Sequence, residues 1–331
     1  MNGRPGISLA KTTLGLGVGA ACLWLAFRQV PLAEVRQVLT SARLAPLALA
    51  VAAIVFASVF RAWRWQWLFP VRDRDARFMN LWPIVVVGQM VNILVPARAG
   101  DVARLYLVRR DERRAVTETL GTLAVEKALD GLVFIAMLGV LLVRVDLPRG
   151  LSQAATALSV TLGVAVLAVG LAAVLGDRAV RAIERSAVLP ERIVRPVVSR
   201  WLRPLVEGFA GRRRFTGLLA ALALSFLAWG AGWLANYLCL LALGIDQAAI
   251  AALAVLVVLQ LGLAVPVSPG GLGVFEYLCV LALAIFAVPR ATAVGFGVLL
   301  HAVAYLTPVA LGAAFVAFQA APRPFALSPK P

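Results

Sequence analysis

Long apolar runs, separated by short stretches rich in arginine, make up most of the sequence. A helix needs about 20 apolar residues to cross a hydrocarbon core of about 30 Å. Six runs reach or approach that length, and the first of them is short. They occupy residues 12–27, 44–66, 118–143, 152–175, 216–243 and 291–318. The pattern therefore predicts an all-α polytopic membrane protein with about six full transmembrane helices.

Two further apolar segments, 81–97 and 250–266, run into proline and glycine residues instead of a polar loop. Their ends have the same form, Val-Pro-x-x-x-Gly, at 95–100 and 265–270. Backbone groups that lose their helical hydrogen bonds are tolerated at membrane depth only against protein or a water-filled cavity. We therefore predict two re-entrant hairpins, each with a Pro/Gly tip. Such a matched pair is typical of inverted-repeat transporters, whose binding site lies between the broken helices.

The distribution of charge predicts how the chain is oriented. The protein has 32 Lys and Arg residues against 16 Asp and Glu, a net charge of +16. Cytoplasmic loops of membrane proteins are enriched in Lys and Arg, and the segment 100–114 holds too many arginines to cross a membrane. If both hairpins are re-entrant, most of the basic residues fall on one side. We therefore expect a bacterial inner-membrane protein with both termini in the cytoplasm.

The whole chain, 1–331, is predicted to form a single integral membrane domain. Its longest polar segment, 177–214, intersperses arginines with apolar residues and prolines. This composition indicates a cytoplasmic amphipathic loop held on the inner leaflet by anionic lipid, although a solvated linker is the alternative. The same headgroups account for the basic composition, so nucleic acid is not expected as a partner. No metal-ligand spacing or nucleotide-binding loop is present in the sequence, and no cofactor is expected.

Three ionisable residues, Glu126, Lys127 and Asp130, interrupt one of the long apolar runs. Glu126 and Asp130 are four residues apart and share a helix face, while Lys127 and Asp130 have the spacing of an ion pair. An ionisable group at the centre of a membrane helix costs at least about 2.5–3.5 kcal/mol, so such groups face a cavity or a partner. We expect these three either to contact a headgroup or a proton, or to form a structural cluster. In the second case Glu126 pairs with Arg98 or Arg104.

The first hairpin carries polar residues on both sides of its tip. They are Asn92, Arg98, Gly100, Asp101 and Arg104. Guanidinium groups match phosphate in a bidentate geometry, which makes Arg98 and Arg104 candidate phosphate ligands. Asp101 has a simpler interpretation as the N-cap of the helix that follows Gly100.

The second hairpin has a glycine-rich tip followed by a carboxylate. Its candidate residues are Pro269, Gly270, Gly271, Gly273 and Glu276. Glycines let backbone N–H groups turn toward a ligand, and a helix N-terminus favours an anion such as phosphate. A tight turn with close packing is the alternative. Glu276 is the second intramembrane carboxylate and a candidate contact for a proton or a headgroup.

Two other polar features are interpreted as structural. His301 stands alone in an apolar run and is expected to be packed or hydrogen-bonded rather than to bind a ligand. The segment 61–67 alternates arginine and tryptophan at the end of a predicted span, which is typical of an interfacial anchor.

Three motifs follow one another over about 80–280. They are Asn92-x-x-x-Pro96-x-Arg98-x-Gly100-Asp101-x-x-Arg104, Glu126-Lys127-x-x-Asp130 and Pro266-x-x-Pro269-Gly270-Gly271-x-Gly273-x-x-Glu276. In this order they resemble the lysylphosphatidylglycerol synthase transmembrane (flippase-like) family, which also forms the membrane domain of the multiple peptide resistance factor. Lys127 stands where that family commonly has arginine, which keeps the charge.

The resemblance implies translocation of an aminoacylated phosphatidylglycerol or a related anionic or zwitterionic lipid, and it places the residues of the three motifs at the substrate. Stand-alone relatives imply other lipids, including hopanoids and polyprenyl-linked sugars. The aminoacyltransferase domain of fused members is not expected, because the chain ends soon after its last apolar run.

We therefore expect a lipid flippase or transporter, not an enzyme, with a polar groove at the membrane midplane and no catalytic residue. One alternative is a membrane-embedded enzyme that modifies a lipid headgroup. The other is a non-catalytic subunit that recruits a lipid-synthesising partner.

Overall fold

The computed structural model describes residues 5–70, 76–95, 99–145, 149–185, 203, 206, 214–245, 248–264 and 268–320. Within these residues all regular secondary structure is helical. The α-helices are α1 (Pro5–Phe27), α2 (Leu32–Thr40), α3 (Leu44–Leu68), α4 (Phe78–Leu94), α5 (Gly100–Asp111), α6 (Val116–Arg144), α7 (Arg149–Arg185), α8 (Arg214–Ala242), α9 (Ala248–Gly262), α10 (Val274–Ala284) and α11 (Arg290–Ala320). A short 3₁₀ helix, Pro269–Gly271, precedes α10.

The long helices follow the apolar runs closely, because the length of an apolar run sets the length of the helix that it forms in a membrane. In the described part of the chain, three helical segments are long and apolar enough to cross: Leu44–Leu68, Thr216–Ala242 and Arg290–Gln319. A fourth crossing is available if the bent pair α1 and α2, which meet at 81°, counts as one span. The chain is thus a multi-pass helical membrane protein, and the six full crossings stay a prediction.

The helices α3 and α8 pack against each other more extensively than any other pair of helices in the described part of the chain. Small residues line the contact at helical spacing, and in a membrane such residues allow two backbones to approach closely. On α3 they are Ala50, Ala53 and Ala57, and on α8 they are Ala221, Ala228 and Ala235, all of them buried. The close contact between α3 and α8 fixes where the polar ends of these two helices can reach.

Both Pro/Gly motifs interrupt helices, as the sequence predicts. In the first hairpin, α4 ends at Leu94 and α5 packs back along it. In the second, α9, the 3₁₀ helix and α10 follow one another in the same manner. The two tips lie against each other, because a Cβ atom placed on Gly270 would be 3.9 Å from the carbonyl oxygen of Ile93. The re-entrant path of the hairpins through a membrane and their inverted-repeat relation stay predictions.

In two stretches the helices extend into parts of the chain where the sequence pattern predicts no transmembrane helix. Residues 32–40, between the first two apolar runs, form the short amphipathic helix α2, which buries Val35 and packs Val38 against Gly295 of α11. In the predicted amphipathic loop 177–214, residues up to Arg185 continue α7. Nearly all the rest of that loop, where the contact with anionic lipid is predicted, lies outside the described residues.

Candidate functional site

A buried group of charged side chains lies where α3, α5 and α6 meet. We call it the ionic cluster, and it consists of Arg61 and Arg64 of α3, Asp101 and Arg104 of α5, and Glu126, Lys127 and Asp130 of α6. With all seven groups ionised, four cations face three carboxylates. Among the residues that the structure describes, the cluster therefore has one positive charge in excess, which favours an anionic ligand.

Arg104 and Glu126 form the innermost pair of the cluster. The two guanidinium nitrogens Nη1 and Nη2 donate to the two carboxylate oxygens at 3.0 and 2.8 Å, and both side chains are buried. This bidentate geometry is the strongest that an arginine and a carboxylate can adopt. It confirms the pairing of Glu126 with Arg104, which was one of the two arrangements expected from the sequence.

Arg64 joins the second carboxylate to the first. It is only 1% exposed, and its Nη1 donates to Asp130 Oδ1 at 2.5 Å while Nη2 lies 3.3 Å from Glu126 Oε1. Nη1 also donates to the hydroxyl of Ser225 on α8. The predicted interfacial anchor at 61–67 is therefore wrong for Arg64, because this side chain points into the bundle and carries the charge that the two carboxylates require.

Two tryptophans hold the cluster in place. The guanidinium carbon of Arg104 lies 4.0 Å from the ring centre of Trp65, a cation–π contact, and the indole N–H of Trp65 donates to Thr122. Trp229 of α8 donates its indole N–H to Asp130 Oδ1 at 2.9 Å. Each indole thus contacts a charged group of the cluster.

The outer side of the cluster is the accessible one. Lys127 Nζ lies 3.6 Å from Asp101 Oδ2, and the Lys127 side chain is 56% exposed. The predicted pairing of Lys127 with Asp130 is wrong, because Asp130 is bound by Arg64 and Trp229. The predicted N-cap role of Asp101 is also wrong: α5 begins at Gly100, whose N–H donates to the Asn92 side chain at 2.8 Å. Asp101 lies in the first helical turn and faces Arg104 and Lys127.

A second buried pair connects the tip of the second hairpin to α11. Glu276 Oε2 accepts from the Gly273 N–H at 2.8 Å, as in a capping box, and Oε1 lies 2.6 Å from His301 Nδ1. The other ring nitrogen, His301 Nε2, bonds the carbonyl oxygen of Gly270 at 3.1 Å. Phe275 stacks on the imidazole ring, and Tyr305 contacts its edge. The expectation of a hydrogen-bonded His301 is confirmed.

The structure thus gathers most of the candidate residues into two neighbouring places. Asn92, Gly100, Asp101, Arg104, Glu126, Lys127 and Asp130 surround the first hairpin, and Gly270, Gly271, Gly273 and Glu276 form the tip of the second. Arg98 lies outside the described residues, and so does the side chain of Pro269. The binding role of all these residues stays a prediction. Among the residues described, no three His, Cys, Asp or Glu side chains are grouped closely enough to hold a metal ion.

Sequence reasoning missed Arg64 and Trp65 as members of the site. A signal for Arg64 was available, since two carboxylates on one membrane helix need more positive charge than Arg104 supplies. Trp65 gave no such signal, because the same residue type marks the membrane interface.

Gly273 is required at the second tip for two reasons, and its substitution is a direct test of the described geometry. Its φ of 81° lies in the left-handed region, and a Cβ atom there would collide with the backbone of Gly19 in α1. We therefore expect Gly273→Ala to cause a clear decrease in the midpoint of thermal unfolding, measured in detergent. The matched control is Gly139→Ala on α6, where nothing lies within 4 Å. It should leave the midpoint unchanged or raise it, and equal midpoints for the two variants would contradict this geometry.

Comparison with known proteins agrees with the motif series. A family model described as the lysylphosphatidylglycerol synthase TM region matches residues 12–312. The glycosyltransferase AglD of Haloferax volcanii is 28% identical over an alignment of 336 residues, which covers 91% of this chain and 53% of that protein. The chain therefore spans about half the length of this curated relative.

Proposed function

We propose that this chain, which belongs to the lysylphosphatidylglycerol synthase TM-region family, moves a lipid with an anionic or zwitterionic headgroup across the bacterial inner membrane. The observation that supports the proposal is that the tips of the two interrupted hairpins lie against each other, close to the buried residues of the ionic cluster. Irregular backbone at membrane depth is stable only where it lines a cavity or protein. In transporters such a place is where the substrate binds.

The ionic cluster provides contacts for both signs of charge on a headgroup. Lys127 is the most exposed cation and supports contact with a phosphate, while the partly exposed Asp101 and Asp130 support contact with an amine. The buried Arg104–Glu126 pair lies behind them and holds the first hairpin to α6. The lipid tails stay in the surrounding bilayer, so the protein needs to shield only the polar headgroup from hydrocarbon. Aminoacyl-phosphatidylglycerol-like lipids, hopanoids and polyprenyl-linked lipids are the candidate substrates.

In this proposal the chain acts without catalytic chemistry. Energy for directed movement comes from an ion gradient or from the unequal distribution of the lipid itself. A changed headgroup, detected by mass spectrometry after incubation of the purified chain with lipid, would contradict this view and favour a headgroup-modifying enzyme.

The test of the proposed site replaces Lys127 with glutamine. Loss of one charge-assisted hydrogen bond should slow movement of a fluorescent phosphatidylglycerol across reconstituted vesicles about tenfold. Because the Lys127 side chain is exposed, the fold should survive. Glu126→Gln is a poor first probe, since it breaks a buried ion pair.

The control for this experiment is Arg109→Gln. Arg109 is an exposed residue of α5, so the substitution removes the same charge from a different part of the surface. It should retain the rate of the unmodified protein. Equal rates for Lys127→Gln and the unmodified protein would refute the assigned site, and a lack of lipid movement in the unmodified protein would refute the function.

A second candidate follows from the relative named a glycosyltransferase, of which this chain covers about half. In this case the chain is a membrane subunit that recruits a lipid-modifying partner. Co-purification of one defined glycosyl-transferring enzyme, together with no lipid movement by the purified chain alone, would favour it.

A further inference from the structure

A groove of about 470 Å³ opens on the side of the protein between α6, α8 and the start of α9. Its volume is typical of sites that hold a small molecule. The α6 side is formed by Val133, Met137, Val140 and Arg144, which recur at intervals of three or four residues and therefore share one face of the helix. This side of the groove is thus apolar, with Arg144 as the one cation among the described residues that line it.

The opposite wall connects the groove to the ionic cluster. It includes Trp229, Gly230 and Trp233 of α8. Trp233 donates its indole N–H to the carbonyl oxygen of Ala249, which ties α8 to α9 across one end of the groove. Trp229 lines the groove with its ring and donates its N–H to Asp130. Asp130 lies three residues before Val133, on the same helix face.

The two ends of the groove lie at different depths. The α6 wall of the groove runs from Val133 to Arg144, which are 11 residues apart on one helix, or about 16.5 Å at 1.5 Å per residue. Half of a hydrocarbon core is about 15 Å thick. With Arg144 in the last turn of α6 at the membrane surface, the groove therefore extends down to the depth of the bilayer midplane.

We infer that this groove binds an anionic phospholipid, with the phosphate on Arg144 and one acyl chain lying along α6 toward Trp229. Apolar contact alone does not select this occupant, because the surrounding lipid tails are as apolar as the groove. Selectivity for an anionic lipid comes from the guanidinium group of Arg144, which can form charge-assisted hydrogen bonds with the lipid phosphate. The inference concerns binding, and it holds whether or not the bound lipid is later moved across the membrane.

The test is photo-crosslinking of the full chain in lipid nanodiscs. The probe is a phosphatidylglycerol with a diazirine near the end of one acyl chain, and peptide mass spectrometry locates the label. We expect label on residues 133–137 of α6 and on Trp229 or Gly230 of α8. When the probe concentration is low enough to limit labelling, the Arg144→Gln variant should carry about tenfold less label than the unmodified protein. A change of this order is expected from the loss of one charge-assisted hydrogen bond.

Two further variants separate occupancy from general surface labelling. Gly230→Trp fills the groove and should abolish label there. Val143→Trp adds the same side chain at the neighbouring, 83% exposed position and should leave the labelling unchanged. A diacylglycerol probe with the same chain but no phosphate should label the groove weakly.

Two outcomes would overturn the inference. They are unchanged labelling in Arg144→Gln and equal labelling by the neutral probe. If Gly230→Trp does not fold, the Arg144→Gln result still decides, because Arg144 is exposed and its replacement does not disturb the helix interior. Lipid movement measured in vesicles is an independent readout, so failure of this inference is distinguishable from failure of the proposed function.

Discussion

Arg64→Leu is expected to destabilise the protein by about 3–5 kcal/mol, the cost of leaving a buried carboxylate without its partner. Arg64 is fully enclosed and bonds Asp130, Glu126 and Ser225, so its loss removes several contacts at once. Glu126 is buried and cannot turn to water without unpacking α6. The measurement is the unfolding midpoint of the purified protein in detergent, read from intrinsic tryptophan fluorescence or from aggregation on heating.

Two variants make the result specific to the ion pair. Arg61→Leu removes the same charge one turn earlier on α3, where the described part of the chain shows no hydrogen bond to the guanidinium, and it should cost much less. The double variant Arg64→Leu with Asp130→Leu removes both partners and should be more stable than Arg64→Leu alone. If Arg61→Leu and Arg64→Leu had the same midpoint, the bonds that Arg64 makes to Asp130, Glu126 and Ser225 would not be the cause.

Glu276→Ala is expected to have the second-largest effect on stability, because it removes the hydrogen bonds that connect the tip of the second hairpin to α11. The Gly273 N–H and His301 Nδ1 both lose their partner, and each buried unpaired group costs about 1–3 kcal/mol. The tip should lose its fixed geometry, and lipid movement in vesicles should fall with it. Both the unfolding midpoint and the transport rate of the reconstituted protein report the change.

Glu276→Gln is the matched control, and its outcome follows from the hydrogen-bond directions. The Gly270 carbonyl can only accept, so His301 Nε2 carries a hydrogen. A glutamine can then donate its amide N–H to Nδ1 and accept from the Gly273 N–H with its oxygen. We expect this variant to keep the midpoint within about 1 kcal/mol of the unmodified protein. A loss as large as that of Glu276→Ala would show that charge, and not hydrogen bonding, holds the tip.

The helices and their interruptions were predictable from sequence because the bilayer imposes simple rules. Apolar length determines a long helix, and α4 and α9 end before the two Val-Pro-x-x-x-Gly motifs. Proline alone does not decide the matter, since Pro308 lies inside α11. The same rules failed for α2, whose nine residues are too short and too polar to be recognised as an apolar run. Its position depends on Val38 packing against Gly295, a contact between residues far apart in the chain.

The candidate site was predictable only in part, for a related physical reason. The Arg104–Glu126 pair was one of two arrangements that the charges allowed. Arg64 and Trp65 were assigned to the membrane surface because arginine and tryptophan are favoured both at an interface and beside a buried charge. Their true position depends on the close packing of α3 against α8, which brings Arg64 to Ser225. Nothing in the local sequence distinguishes these two environments.

The two buried groups should differ in their response to membrane voltage. Whether the shared proton resides on Glu276 or on His301, that pair is electrically neutral as a whole, so an electric field exerts no net force on the second tip. The ionic cluster carries one elementary charge in excess, and moving one such charge through 100 mV changes the energy by about 2.3 kcal/mol. Any displacement of the ionic cluster as a whole along the membrane normal would therefore be driven or opposed by the membrane potential, whereas motion of the second tip would not.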